Sequence, residues 1–429
     1  MELLPLRVGD LGRVITGRTP PSVRPELFGD LHPFLTPTDI DGRERYVNPG
    51  RFLSEAGAVA HKTTVLPAKA VCVVCIGATI GKVCMTDCLS FTNQQINSIV
   101  VNETEHDPFF VYHLLTTLRD ELKAHAGGAA TPIINKTSFS EIRISVPPLP
   151  AQRRIASILS AYDDLIENNL RRVKILEEMA RALYREWFVE FKFPGHAKVR
   201  RVASEVGLIP DGWEAVSFDT LLVSMTGGDW GAEQATETET SEVAIVRGTD
   251  FDEVAYGGNL RCPFRYIKPS SLKSRGLQAS DVVVENSINA KSRCVGTTLI
   301  VDRHTMSRIG RDSVAASFCK VFRLHDPRLA PLVHLHLRYL REEHRMEYYQ
   351  NVAANGIANF QAQRFAKEEH LTLPVEPALR AHLLRSLGSL FEAIGVLASE
   401  VSNLRRTRDL LLPRLLSGEV PIADASLVA

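Results

Sequence analysis

The sequence lacks the features that mark a membrane or secreted protein. No apolar run approaches the about 18 residues of a membrane span, and the amino terminus shows no basic segment followed by an apolar one, as a secretory signal would. The seven cysteines are an odd number in mostly apolar surroundings, which favours buried, reduced thiols over disulfides or a zinc site. We therefore expect a cytoplasmic protein without a membrane partner.

The chain also has no net charge. The 50 Lys and Arg are balanced by 50 Asp and Glu, and no segment is strongly basic. Because non-specific affinity for DNA comes mainly from neutralised phosphates, the chain alone is expected to bind DNA weakly. With 429 residues, 45% of them hydrophobic and 23% charged, it is typical of a soluble globular protein with more than one domain.

Signatures of catalysis are missing as well. The chain has no Gly-x-Ser-x-Gly elbow, no His-Glu-x-x-His pair and no dinucleotide fingerprint. Gly77–Val83 looks like a phosphate loop, but its first glycine is one residue too close to Lys82, and Val83 stands where Ser or Thr would hold magnesium. We predict a non-enzymatic chain with no catalytic residues, no metal and no cofactor of its own.

Two long heptad patterns are the strongest structural signal. The first comprises Ile155, Leu159, Tyr162, Ile166, Asn169, Val173, Leu176, Ala180, Leu183 and Trp187. The second comprises Leu383, Leu387, Leu390, Ile394, Leu397, Val401, Leu404, Arg408, Leu411 and Leu415. Since each helix hides a stripe that it cannot bury alone, we predict an antiparallel coiled coil of two helices, each about 50 to 60 Å long. Asn169 and Arg408, the one polar residue in each pattern, would fix the register.

The segments before the two helices echo each other. Asp39 corresponds to Asp250, 211 residues later, and Asn135 corresponds to Asn359, 224 residues later. Short β-rich runs and later helical stretches in both halves predict two α/β or α+β domains in a pseudo-two-fold internal repeat. The predicted order is domain 1–148, helix 149–193, linker 194–210, domain 211–375, helix 376–418 and tail 419–429.

Side chains that read base edges in the major groove recur in both predicted domains. The candidate DNA-binding residues are Arg43, Arg45, Thr79, Lys82, Asn93, Gln94, Gln95 and Lys136 in the first domain, and Arg247, Thr249, Asn286, Lys291, Arg293 and Gln361 in the second. The candidate partner-binding residues on the helix flanks are Arg153, Arg154, Arg171, Arg172, Glu177 and Glu178. A solvated surface is the alternative interpretation for each of them.

Several motifs resemble a known family. Val146–Asn169, continued by Leu176–Phe188, resembles the first conserved helical region of the specificity subunits of Type I restriction-modification systems, and Arg408–Glu419 resembles the end of the second. Gly77–Val83, together with Asn93-Gln94-Gln95, resembles a pattern of target recognition domains. The second domain departs from this pattern, since Lys291–Gly296 takes the place of the Gly-x-x-x-Gly-Lys motif.

The resemblance implies a non-catalytic subunit that recognises a bipartite target in double-stranded DNA, with one half-site for each domain and the helices as a spacer. It also implies two methyltransferase subunits and restriction subunits as partners, which would hold S-adenosylmethionine, ATP and Mg. Two alternatives remain open. One is the specificity subunit of a methylation-only phage-defence complex, and the other is a coiled-coil scaffold with protein-binding end domains.

Overall fold

The computed structural model describes residues 3–42, 44–126, 132–258, 260–289 and 294–420, which form two compact units. Unit 1 contains the described residues up to Glu167 together with those from Leu404 onward, and unit 2 extends from Asn168 to Asn403. Each unit therefore contains one domain of mixed helices and strands and a part of both long helices. This confirms the predicted fold class.

Unit 1 contains ten short strands and four short α-helices among its described residues. The strands are Leu4–Arg7, Gly12–Thr16, Phe28–Gly29, His32–Leu35, Phe52–Leu53, Val71–Val74, Val83–Met85, Phe91–Thr92, Ile96–Val101 and Arg143–Val146. The short helices are Glu55–Ala60, Pro108–Thr117, Arg119–His125 and Lys136–Ser140.

Unit 2 has a similar but longer set of elements. Its strands are Arg201–Ser204, Gly207–Pro210, Trp213–Ser217, Leu222–Gly227, Ser241–Val246, Phe264–Ile267, Asp281–Glu285, Ser287–Asn289, Thr298–Val301, Ser313–Ala315, Cys319–Leu324, Gln350–Val352, Ile357–Phe360 and His370–Pro374. Its short helices are Phe218–Leu221, Phe251–Ala255, Pro269–Arg275, Arg303–Ile309, Ala330–Glu342 and Ala362–Glu368. The strands Arg201–Ser204 and Gly207–Pro210 form a hairpin inside the segment that was predicted to be a linker.

The two domains share one sheet topology. The first sheet has the antiparallel order Gly12–Thr16, Ile96–Val101, Val71–Val74, Val83–Met85. The second sheet has the matching antiparallel order Leu222–Gly227, Cys319–Leu324, Asp281–Glu285, Thr298–Val301. A parallel strand pair also recurs, with His32–Leu35 beside Phe91–Thr92 in unit 1 and Ser241–Val246 beside Ser313–Ala315 in unit 2. The predicted internal repeat is therefore visible in the chain topology.

One of the two predicted echoes is exact and the other is displaced. Asp39 and Asp250 occupy the same turn, because each carboxylate accepts a hydrogen bond from the backbone N–H three residues earlier. The equivalent of Asn135 is Gln361, because each stands directly before a short helix. Asn359 lies two residues earlier, in a strand, where its equivalent in unit 1 is Ile133.

In both units the long helices pair in antiparallel fashion. The first long helix is α-helical over Leu149–Tyr184 and continues as a π-helical turn over Arg185–Val189, and the second long helix spans Pro377–Leu416. In unit 2, Asn169 donates a hydrogen bond of 3.0 Å to Glu400, and Val173 packs with Ile394 and Leu397. Farther along the same helices, the ring of Trp187 stacks on His382.

The seam in unit 1 contains a charge that the heptad pattern did not predict. Asp163 is buried on the first long helix and accepts a hydrogen bond of 2.6 Å from Arg408 on the second. The buried ring of His113, on the short helix Pro108–Thr117, lies 3.3 Å from the other carboxylate oxygen of Asp163. This buried charge cluster joins the domain of unit 1 to both of its helix segments.

The first long helix ends at Val189, before the predicted end at residue 193. Phe191 has a φ of +56°, which a continuing right-handed helix does not allow. The π turn buries the adjacent residues Trp187 and Phe188, and Phe188 packs edge-on against Trp213. The helix therefore stops where its aromatic residues join the core of unit 2.

The second long helix is the one described helix whose length and composition would allow it to cross a membrane, with a mean hydropathy of 1.2 over its most apolar window. Its apolar character is that of a packing seam. Leu383, Leu387, Leu397 and Val401 are buried in unit 2, and Leu412 and Leu415 are buried in unit 1.

Candidate nucleic-acid interface

In each of the two four-stranded sheets, three connecting segments lie at the same end of the strands. In the first sheet, strands Gly12–Thr16 and Val71–Val74 end where Ile96–Val101 and Val83–Met85 begin, because neighbouring strands are antiparallel. We call segments 17–19, 75–82 and 92–95 the loop edge of unit 1. The equivalent loop edge of unit 2 consists of the described parts of segments 228–231, 286–297 and 316–318.

Each loop edge contains a glycine at the equivalent position, directly after the first strand of its sheet. A Cβ on Gly17 would lie 2.2 Å from the carbonyl oxygen of Thr92, and a Cβ on Gly228 would lie 2.1 Å from that of Ala316. Each glycine also donates its N–H to the chain that it faces, to Ile96 or to Cys319. The close approach requires glycine in both domains. Sequence reasoning missed these residues, although both follow a β-rich run.

Three consecutive amides shape the loop edge of unit 1. Asn93 is buried, its Oδ1 accepts a hydrogen bond from the backbone N–H of Gln95, and its Nδ2 donates to Oε1 of Gln95. Gln94 is exposed, and its Oε1 accepts a hydrogen bond of 2.7 Å from Thr19. Asn93 thus forms the turn, while Gln94 and Gln95 carry the amides that a base edge can reach.

Thr79 and Lys82 are two further predicted contacts that lie within the loop edge of unit 1. Thr79 donates its hydroxyl proton to the carbonyl oxygen of Ile76 and so closes the turn that leads to Lys82. Lys82 is half-buried, and its aliphatic stem lies near Gly42. Lys136 is exposed at the start of the short helix Lys136–Ser140. These positions suit phosphate contacts, because lysine is a mobile point charge.

Arg45 does not belong to this interface. Its guanidinium is buried and donates hydrogen bonds of 2.6 Å to Asp164 and 3.1 Å to Glu167, both on the first long helix. It also lies over the rings of Tyr46 and Phe109. Arg45 therefore attaches the domain of unit 1 to its helix and is not available to DNA.

In unit 2, the predicted contact Arg247 is also engaged within the protein. Arg247 forms two hydrogen bonds of 2.7 and 2.8 Å with the buried Asp250, and this hydrogen bonding raises the pKa of the guanidinium. The neighbouring Thr249 is exposed. Arg247 is partly exposed and can present its positive charge, but its bidentate face is already occupied.

Two further predicted residues of unit 2 lie at or next to its loop edge. Asn286 donates its amide proton to the hydroxyl oxygen of Ser287, and its buried Oδ1 has no hydrogen-bond partner among the described residues. Gln361 is half-buried and accepts a hydrogen bond from Arg364. The predicted contacts Arg43, Lys291 and Arg293 lie outside the described residues.

The predicted partner-binding residues fall into two groups. Arg153, Arg171, Arg172 and Glu178 are exposed, and Arg154 is partly exposed. Glu177 instead faces the domain of unit 2, where it accepts a hydrogen bond of 2.6 Å from Tyr256 and lies 3.7 Å from Arg338. Glu177 is therefore an internal contact and no docking residue.

The first long helix also exposes apolar residues that the prediction omitted. In unit 1 these are Ile158 and Leu165, which are 38% and 51% exposed, and in unit 2 they are Ile175 and Met179, which are 50% and 52% exposed. The signal was present in the sequence, because these residues stand outside the predicted heptad seam. In both units the helix thus presents an apolar surface between charged side chains.

Within the described residues, no group of three or more His, Cys, Asp or Glu side chains converges in a way that suits a metal ion. Cys72 and Cys84 face each other on adjacent strands, and both are buried. The chemistry available at the loop edges is hydrogen bonding by amides and hydroxyls, together with charge from lysine and arginine.

Comparisons with known proteins agree with this geometry. Residues 5–178 match the family model described as Type I restriction modification DNA specificity domain. The MjaIX specificity subunit of Methanocaldococcus jannaschii, a Type I restriction enzyme subunit, is 25% identical over 97% of this chain and 93% of its own length. The HindI specificity subunit of Haemophilus influenzae is 33% identical over 40% of this chain and 38% of its own.

A solved structure has the same fold over nearly the whole chain. The Type I restriction-modification S subunit from M. genitalium superposes with a TM-score of 0.55 at 15% sequence identity, covering 97% of this chain and 96% of that one.

Proposed function

Because the chain belongs to the specificity-subunit family of Type I restriction-modification systems, we propose that its two domains each read one half of a bipartite DNA target. The observation that carries this proposal is the repeated loop edge. Two sheets of the same topology each gather connecting segments with exposed or half-buried polar side chains at one edge. In unit 1 these include Gln94 and Gln95, whose amides suit the edges of adenine and other bases. In unit 2 they include the half-buried Asn286.

The chain is a non-catalytic DNA-recognition subunit in this account, and partners supply the chemistry. Methyltransferase subunits would hold S-adenosylmethionine, and restriction subunits would use ATP and Mg. Recruitment of two methyltransferase subunits fits a chain with two similar domains. A balanced charge of 50 basic and 50 acidic residues fits a subunit whose partners contribute part of the phosphate contacts. We place the assembly in the cytoplasm.

In each unit, the exposed apolar residues of the first long helix are the proposed docking surface for a methyltransferase subunit. Apolar residues surrounded by charge are typical of protein interfaces. Replacing Leu165, which is 51% exposed, with Glu should reduce the amount of methyltransferase subunit that copurifies with the chain. The matched control is Leu208→Glu on the hairpin of unit 2, where Leu208 is 61% exposed.

The test of DNA recognition is selection from a random duplex library by the complex reconstituted with its methyltransferase subunit. Two short specific sequences at a fixed separation are the expected result. Enrichment of no sequence by an assembled complex would favour a coiled-coil scaffold whose end domains bind proteins. Addition of the restriction subunits distinguishes a restriction system from a methylation-only complex, because only the former cleaves unmethylated DNA.

A further inference from the structure

One cross-strand position next to the loop edge differs in chemistry between the two domains. In unit 1, Ile76 pairs with Ile133, and in unit 2, Ser287 pairs with Asn359. The two pairs are equivalent because each is flanked by the same backbone hydrogen bond. The residue that follows the second member of the pair donates its N–H to the carbonyl of the residue that precedes the first member. Ile134 donates in this way to Cys75 at 2.9 Å, and Phe360 donates to Asn286 at 2.7 Å. A hydrocarbon pair in one domain thus replaces a polar pair in the other.

The polar pair of unit 2 belongs to a small three-stranded sheet. Ser287, Asn359 and Asn351 are register partners on its three strands, so their side chains lie on one face. Asn359 and Asn351 are exposed, and the hydroxyl of Ser287 donates a hydrogen bond of 2.7 Å to Oδ1 of Asn359. This contact fixes the orientation of the amide and leaves its Nδ2 protons directed away from Ser287.

Within this sheet, the strands Gln350–Val352 and Ile357–Phe360 form a hairpin with a short connection. Strands as well as helices can enter the grooves of DNA and read base edges. Its backbone is anchored to the loop edge at Asn286, so the amide of Asn359 is held beside the segment that carries the predicted contacts of unit 2.

In unit 1, the equivalent side chain is an isoleucine that the protein leaves in solvent. Ile133 is 59% exposed, although it directly precedes the buried Ile134. An exposed isoleucine cannot hydrogen-bond a base. It can contact the C5 methyl group of thymine, which is the apolar feature of the major groove.

We propose that this cross-strand position determines one base in each half-site, where Asn359 hydrogen-bonds an adenine and Ile133 contacts a thymine methyl group. The inference rests on the proposed DNA-recognition function and assigns specificity residues to it. The amide of Asn359 can donate from Nδ2 to N7 of adenine and accept from N6 at the second lone pair of Oδ1. The equivalent position of unit 1 offers neither donor nor acceptor.

The test for unit 2 is selection of random duplexes by the reconstituted complex with the wild-type chain and with Asn359→Ala. The variant should lose preference for adenine at one position of one half-site by about ten- to hundredfold, while every other position keeps its preference. The matched control is Gln278→Ala, because Gln278 is an exposed amide near the opposite edge of the second sheet. Asn359→Gln, which keeps an amide, should retain part of the preference.

The test for unit 1 uses deoxyuridine, which is thymine without its methyl group. The wild-type complex should bind a duplex several-fold more weakly when one specific thymine of the other half-site is replaced by deoxyuridine. Ile133→Ala should bind both duplexes equally. The matched control, Val59→Ala, removes an apolar side chain that is 63% exposed on a short helix of unit 1, and should keep the wild-type difference.

These experiments distinguish failure of the proposed function from failure of the assignment of this position. If the wild-type complex enriches no bipartite sequence, the proposed function fails. If it does so, and Asn359→Ala selects the unchanged sequence while deoxyuridine is tolerated at every thymine, the assignment of this position is wrong and the proposed function stands.

Discussion

Arg408 donates a hydrogen bond of 2.6 Å to Asp163, so the one polar residue predicted on the second heptad seam is paired with a buried carboxylate on the first long helix. The carboxylate is almost fully buried, and the guanidinium is largely so. Burial raises the pKa of Asp163, and the charge of Arg408 opposes this effect. The pair thus fixes the register of the two helix segments in unit 1.

Breaking this pair should destabilise unit 1 strongly. Asp163→Ala leaves Arg408 without its buried carboxylate partner, and we expect a loss of about 3 to 5 kcal/mol in the free energy of unfolding. The double variant D163L/R408L removes both charges and should be more stable than Asp163→Ala. Urea unfolding of the single and double variants measures the coupling. Equal losses for Asp163→Ala and for Asp30→Ala, which removes an exposed carboxylate elsewhere in unit 1, would show that the pair does not hold the seam together.

A second prediction concerns pH. Burial lowers the pKa of His113 to about 3, below the value of about 6.5 that is usual for histidine. His113 is therefore protonated in the unfolded chain at pH values where it stays neutral in the folded chain. The free energy of unfolding accordingly decreases as the pH falls from 6.5 towards 3. Between pH 6.5 and 5 the loss is up to about 2 kcal/mol for this residue.

Urea unfolding at pH 7 and at pH 5 tests this, because the window lies above the range in which most carboxylates titrate. His113→Asn should reduce the difference between the two stabilities. The exposed His344 is the control, and His344→Asn should leave the difference unchanged. A pH dependence that His113→Asn does not alter would contradict the account.

Two glycines in the second long helix should respond in opposite ways to alanine. Apart from the neighbouring backbone of its own helix, a Cβ on Gly388 would meet no described atom within 4 Å, and Gly388 lines a cavity of about 460 Å³ in unit 2. Gly388→Ala should therefore stabilise the protein by about 1 kcal/mol through helix propensity. A Cβ on Gly395 would lie 2.5 Å from Oδ2 of Asp302, whose carboxylate caps a short helix, so Gly395→Ala should destabilise. The midpoint temperatures of thermal unfolding of the two variants test this prediction, and equal shifts from the wild-type temperature would contradict it.

A fourth prediction concerns phosphate contacts at the loop edge of unit 1. Lys82→Ala should weaken DNA binding by the reconstituted complex across all sequences and reduce the slope of log affinity against log salt by about 1. The matched control is Lys69→Ala, because Lys69 is exposed beside the opposite end of the strand Val71–Val74. If both variants keep the wild-type slope, Lys82 contacts no phosphate.

The sequence predicted the parts of the fold that depend on periodicity. Heptad spacing identified the buried residues Ile155, Val173 and Leu383, because a helix with one apolar stripe must cover it. The echo of Asp39 in Asp250 was detectable because both carboxylates form the same turn, which restricts the local sequence. These features are local along the chain.

The predictions that were wrong concern residues whose partners lie far away along the chain. Arg45 has the composition of a surface arginine, and only the fold brings it to Asp164 and Glu167, which follow it by 119 and 122 residues. Glu177 resembles a solvated helix flank until Tyr256 is placed against it. The candidate site was thus predictable as a type of surface, and individual residues depended on packing that one sequence does not reveal.

The central claim is that this chain selects the DNA sequence on which its partners act. Single-molecule methylome sequencing tests it most directly in cells that express the chain with its methyltransferase subunit, compared with cells that lack the chain. We predict a methylated motif of two short specific parts around a fixed spacer, present only when the chain is expressed. A methylation pattern that is the same with and without the chain, in cells where the complex is assembled and active, would contradict the account.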